Sequence, residues 1–141
     1  MWPEVCLEVN LETPSSESEF EIGRWHITED NVRQYLAAVG DAQQEYFRLG
    51  LVPPLFLTAY ALTGLLGKLA LAPGAIHSLQ EVDTLNPVEI GDQISGTARL
   101  ERPRRRGNLE FTTVSYRLTS ASGIQVQAGK STVLAPAAGG A

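Results

Sequence analysis

Asp41 and Tyr46 place a carboxylate and a phenol five residues apart, and Pro53-Pro54-Leu55-Phe56 opens a long apolar run soon after them. A carboxylate partly withdrawn from water at a helix end gains proton affinity, which suits it to take a proton from water near neutral pH. A phenol, with a pKa of about 10, keeps its proton there; it is a poor base but can donate a hydrogen bond or orient a water. Both residues also have plainer uses. Aspartate often closes a turn on its own backbone, and tyrosine often packs against a helix with its hydroxyl satisfied.

Other polar candidates are few. His26 and His77 are the two histidines, and a single histidine on a strand more often faces solvent or serves the structure. With those two separated and Cys6 the sole cysteine, the chain lacks a spaced set of metal ligands and cannot close an internal disulfide. Arg104-Arg105-Arg106 is the one basic run. It suits phosphates or an acidic protein, although three arginines in a row also fit a solvated hairpin turn.

These residues need elements to hold them. A helix starts at Thr28, a good N-cap, with Glu29 and Asp30 in its first turn where the helix dipole favours acids. Val32, Tyr35, Leu36 and Val39 follow the spacing of a single buried face. Gly40 ends the helix because glycine enters the left-handed conformation at little cost, so Asp41 begins a loop at the helix end. Tyr46, Phe47 and Leu49 suggest a short helical turn. Pro53-Pro54 then suit the first turn of a second helix, from about Leu55 to Ala70, stopped by Pro73-Gly74. Its Ala59, Gly64 and Gly67 permit close approach of a sheet.

Beyond Gly74 the period changes to two, as strands require. Ile94, Gly96, Ala98 and Leu100 alternate with polar residues, as do Val114, Tyr116 and Leu118, then Ile124, Val126 and Ala128 before Thr132-Val133-Leu134. Ile76 to Leu85 predicts an earlier strand with poor alternation. Pro103 to Asn108 and Thr119 to Gly123 read as turns. Helices first and four strands afterwards predict a segregated α+β domain, an antiparallel meander on one long helix. That helix is apolar all round, so a dimer or a second layer is expected to cover what one sheet leaves bare. Ahead of the first helix lie a short alternation (Val5, Leu7, Val9, Leu11), a polar loop over 13–19, and a short extended piece from Phe20 to Trp25. The expectation is one domain over residues 1–134 and a flexible tail over 135–141.

Composition excludes several classes. The chain has 141 residues and is 43% hydrophobic, enough for one domain with a real core. A net charge of −5 argues against nucleic acid as the main partner. The first twelve residues carry Glu4, Glu8 and Glu12 without the basic start and apolar centre of a signal peptide. Leu55 to Leu71 falls short of the roughly 20 residues a bilayer needs and contains Lys68. A cytoplasmic protein with no membrane span is expected.

Taken in order, these stretches resemble the MaoC-like hydratases and dehydratases, a hotdog-fold family. Ile27-Thr28-Glu29-Asp30, Tyr35 and Ala38-Val39-Gly40-Asp41 look like that family's opening helix, and Pro53-Pro54-Leu55-Phe56 like the entrance of its central helix. Ile76-His77-Ser78-Leu79-Gln80, Asn86-Pro87-Val88 and Gly91-Asp92 are similar to the strand and turn that follow. Arg106-Gly107, Glu110-Phe111, Val114, Gly123 and Val126 resemble the last strands. The likeness runs from Phe20 to Leu134 and is greatest to the N-terminal MaoC-like dehydratase type. It implies an antiparallel sheet wrapped around a long helix, a dimeric or pseudo-dimeric assembly, and a tunnel for an acyl chain on a pantetheine thioester.

By that resemblance Asp41 is the catalytic aspartate, and Tyr46 stands where active members usually carry a histidine. Pro54, Phe56 and His77 fall on substrate-binding positions, and the arginine run becomes a candidate for the phosphates of coenzyme A. The substrate would be an acyl-CoA or acyl-carrier-protein thioester, with no cofactor. Either the chain hydrates weakly through Asp41, or it supplies binding surface to a second hotdog subunit bearing the missing histidine. Two further classes stay open: a hotdog thioesterase using Asp41 to activate water, and an acyl-binding module without catalysis.

Overall fold

The computed structural model describes residues 18–137. Cys6, the alternation at Val5–Leu11, most of the polar run over 13–19 and the last four residues lie outside them. The chain runs β1 (Glu19–His26), α1 (Glu29–Val39), α2 (Glu45–Leu49), α3 (Pro54–Lys68), β2 (Ile76–Thr84), β3 (Gln93–Leu100), β4 (Arg104–Arg106), β5 (Leu109–Ser120) and β6 (Gln125–Pro136). Strand β6 thus reaches two residues past the boundary placed at Leu134.

The strands form one antiparallel sheet in the order β1-β3-β5-β6-β2, with β4 beside β5. Only β3, β5 and β6 make the expected meander. Strand β2 leaves the end of α3 for the far edge next to β6, and the short extended piece before α1 is a full edge strand, β1, paired with β3. Neither edge has a clean alternation to read. A register shift between Glu21 and Gly23 interrupts β1, and β2 is mostly exposed along its length, so no single face selects apolar residues. Arg104–Arg106 are strand residues in a hairpin with β5, and Gly107 makes the turn at φ 59°.

The inner sheet face presents Ile22, Ile94, Ala98, Leu100, Val114, Tyr116, Leu118 and Val133 to the helix layer, and all are buried. Helix α3 crosses that face. Phe56, Leu57, Thr58, Ala61, Gly64 and Leu65 are buried along it, while Leu55, Thr63 and Gly67 remain exposed. With 15 residues α3 is too short to span a bilayer, and no helix among the described residues is long and apolar enough to do so. On α1, Val32 and Leu36 are buried as the spacing predicts, but Val39 is 56% exposed because no element covers the last turn.

Gly64 is the point of closest approach. A Cβ there would overlap the carbonyl oxygen of Ile22 on β1, a backbone atom with no freedom to swing away. Gly64→Ala should therefore lower stability by about 1–3 kcal/mol through overpacking, outweighing the roughly 1 kcal/mol that alanine gains over glycine in a helix. Gly67→Ala, on the exposed face of the same helix, should raise stability. Urea midpoints of the two variants moving in the same direction would contradict this contact.

Candidate active site

Helix α1 delivers Asp41. Its start is fixed by a reciprocal cap in which Thr28 Oγ1 accepts from Asn31 N–H (3.1 Å) and Asn31 Oδ1 accepts from Thr28 N–H (3.2 Å). Its end is fixed by Gly40 at φ 73°, after which Asp41 N–H returns to Leu36 O at 2.9 Å. Asp41 Oδ1 accepts from Gln43 N–H at 3.0 Å, so the side chain does close its own turn. Asp41 is half-buried as a residue, and the hydrogen bond of its carboxylate lies at the exposed surface.

Tyr46 sits in the first turn of α2, half-buried against the core, and Leu51 N–H donates to its carbonyl at 2.9 Å. Tyr35 joins it from α1. Burial, then the neighbouring Tyr46 phenol, then the Asp41 carboxylate push the Tyr35 phenol above its ordinary range, so it holds its proton and stays a donor. Three groups able to donate or accept a proton therefore share one neighbourhood. Sequence reasoning assigned Tyr35 only to the buried helix face; its place on α1 six residues before Asp41 was the available signal.

That neighbourhood adjoins the entrance of α3. The Tyr35 ring meets Phe56 edge-on, with centroids 5.5 Å apart; Phe56 meets Tyr60 at 4.4 Å, and Tyr60 meets Trp25 at 6.0 Å. Phe56 is only 1% exposed, so within this chain it is a core residue that sets the position of Tyr35. Pro54 and Leu55 are exposed beside it. Pro53 and Pro54 have no N–H, and Phe56 N–H bonds Pro53 O at 3.0 Å, which leaves the Leu55 N–H without a helical partner.

A buried amide that the sequence did not reveal clamps this entrance to the sheet. Gln127 on β6 is fully buried; its Nε2 donates to Pro54 O at 3.0 Å, and its Oε1 accepts from Thr58 Oγ1 (3.0 Å) and Tyr116 OH (3.3 Å). Gly129 makes the room, since a Cβ there would lie 2.5 Å from the Tyr116 hydroxyl. Among the described residues no buried side-chain polar atom lacks a partner.

His77 is elsewhere. It lies on β2 opposite Val133, whereas the α3 entrance is tied to Gln127, six residues earlier on β6 and opposite Thr84. At about 3.3 Å per residue that separation is roughly 20 Å, so His77 stands well away from the α3 entrance. The imidazole Nε2 is 3.1 Å from Gln80 Oε1. His26 is exposed at the end of β1. The arginines of β4 are exposed too, Arg105 facing Glu110 in the hairpin register. There are also two surface depressions: one of about 320 Å³ by Arg99, Ser115 and Arg117 on the outer sheet face, and another of about 440 Å³ by His26 and Trp25, the last ring of that aromatic chain.

No family model matches the sequence, and no curated protein matches it either. Solved structures do match the fold. The R-hydratase PhaJ1 of Pseudomonas aeruginosa superposes with a TM-score of 0.72 at 18% identity over 88% of this chain and 83% of its own. A MaoC-like dehydratase from Rhodospirillum rubrum gives 0.70 at 18% identity over 90% and 96%. The HadBC complex of Mycobacterium tuberculosis, a 3R-hydroxyacyl-ACP dehydratase, gives 0.67 at 15% identity over 88% and 100%. The chain has the hotdog fold of the MaoC-like dehydratases and R-hydratases, with its antiparallel sheet wrapped around α3.

The clamp can be tested directly. Gln127→Leu keeps the volume but strands two hydroxyls and a carbonyl, and should cost about 2–4 kcal/mol. Adding Thr58→Val and Tyr116→Phe should recover part of that loss, because the stranded donors go with them. A Gln127→Leu protein with a wild-type urea midpoint would show that the amide holds nothing.

Proposed function

We propose that this chain is a MaoC-like protein of acyl-thioester metabolism, of the enoyl hydratase or 3-hydroxyacyl dehydratase type, acting on acyl groups carried by coenzyme A or a carrier protein. One observation carries the reading: Asp41, Tyr46 and Tyr35 share a neighbourhood, and Tyr35 stands on Phe56 in the first turn of α3. Reversible hydration of a 2-enoyl thioester needs a base for water, an acid for the α-carbon and a donor for the thioester oxygen. Asp41 is the candidate base. The phenols of Tyr35 and Tyr46 are candidate donors, and the free Leu55 N–H suits the thioester oxygen. Pro54 lines the entrance.

Tyr46 in place of histidine weakens a self-sufficient mechanism, so the preferred form is a subunit that depends on a second hotdog chain, identical or different. Strand β2 supports this. It is a nine-residue sheet edge with Ile76 62% and Leu79 54% exposed, and free edges of that kind accept another strand. A cytoplasmic location follows from the proposed substrates, which are made and used there.

The purified chain, alone and with any co-encoded hotdog partner, should hydrate 2-enoyl thioesters, and Asp41→Asn should reduce the rate by about 10²–10⁴-fold. Tyr46→Phe should slow it as well. Undiminished hydration by Asp41→Asn would remove Asp41 from the chemistry. Thiol release from saturated thioesters would make the protein a thioesterase instead, and silence toward both substrates in either setting would leave an acyl-binding module.

A further inference from the structure

We propose that one end of this molecule, formed by the loop after α3 and the β4–β5 hairpin, docks on an anionic lipid surface. The loop enters the headgroup layer, and the hairpin arginines hold lipid phosphates. This goes beyond the hydratase reading and does not depend on it.

From Leu69 to Ile76 no side chain is polar. Ala70, Leu71, Ala72, Pro73 and Gly74 are all exposed, and Ile76 is 62% exposed. Loops that meet only water are polar, and a run of exposed apolar residues is a liability to a chain unless something covers it. The loop is also shaped. Leu71 N–H donates to Leu69 O at 2.9 Å, and Ala75 N–H donates to Ala72 O at 3.1 Å.

The arginine hairpin lies beside this loop. A Cβ on Gly74 would stand 3.9 Å from Pro136 Cγ; Pro136 is opposite Leu109, and Leu109 is opposite Arg106. Ala137 N–H donates to Asn108 O at 2.8 Å and ties the end of β6 to the hairpin turn. One row further in, Ile76, Leu134, Phe111 and Arg104 follow one another across four strands on the outer sheet face. Apolar side chains thus lead from the loop to the arginines.

Charge makes the same end distinct. Arg24, Arg33, Arg48 and Arg117 each hold a carboxylate. Arg99, Arg102, Arg104, Arg105 and Arg106 are exposed, and none of them pairs with an acid among the described residues. Glu101 within that stretch is taken by Lys130, and Glu110 faces Arg105 in register without an ion pair. A chain of net charge −5 therefore gathers its free arginines in one short stretch beside the loop. Dissolved phosphate would answer the arginines and leave the loop in water. A protein seated on the outer sheet face would use Arg104 and Arg106 and miss Arg105, which alternates to the other face. An anionic bilayer met end-on takes the cations of both faces and the loop together, the pairing of basic and apolar groups by which proteins lie on membranes. No span is involved, since no helix among the described residues is long and apolar enough for one.

Vesicles decide it. The full chain should co-sediment with vesicles of equal parts phosphatidylglycerol and phosphatidylcholine but not with phosphatidylcholine alone. Added salt should release it, because screening shortens the reach of the arginines. Arg104→Gln, Arg105→Gln and Arg106→Gln together should weaken the partition about a hundredfold, roughly fivefold for each arginine. In a Cys6→Ser background, an environment-sensitive dye on Leu71→Cys should shift to the blue on the anionic vesicles. The same dye on Ser122→Cys, in the turn at the other end of β5, should not. Absence of binding at low salt, or equal binding to both kinds of vesicle, would overturn the proposal. So would binding without a shift at Leu71→Cys, because the loop would then stay in water. Indifference to vesicles beside salt-sensitive binding of an acidic carrier protein would assign the surface to a protein partner and refute the lipid contact.

Discussion

Everything in this molecule answers to the need to cover α3. A helix with buried residues on most of its faces cannot sit on a flat sheet with one side in water, so the sheet curves around it and the contact becomes intimate enough to require glycine. The helix is fixed at two points by different means. At Gly64 its backbone rests against the Ile22 carbonyl on β1, and at its first turn the Gln127 amide ties Pro54 and Thr58 to β6. The first contact sets depth by exclusion. The second sets rotation and height by directed hydrogen bonds, which a greasy interface leaves loose. Because Phe56 belongs to that same first turn, the clamp also sets where Tyr35 stands, and through it the surroundings of Asp41 and Tyr46.

How much of this was legible in the sequence follows from what each residue signals locally. Thr28 and Gly40 bound α1 as read, because caps are short-range chemistry. The alternation from Ile94 to Leu100 gave β3 correctly, since a strand with one wet face and one dry face records its own geometry. Strand β2 carries no such record. It is exposed along most of its length, so no single face selects apolar residues, and the sheet order could not be read from it. Gln127 was invisible for a related reason: it looks like any polar strand residue, and only partners at residues 54, 58 and 116 make it a core residue. Asp41 was legible in position and ambiguous in role: its carboxylate closes its own turn, and it also acts on the Tyr35 phenol electrostatically.

The way the α3 entrance is fastened bears on the open edge of the sheet, and topology explains how. The α3 entrance is fastened to β6, the strand next to the edge, rather than to the middle of the sheet. Residues in the first half of β2 are remote from the entrance, roughly 20 Å along the strand direction. The open edge therefore lies one strand away from the clamp, and whatever covers the second half of β2 also borders the strand that positions the first turn of α3.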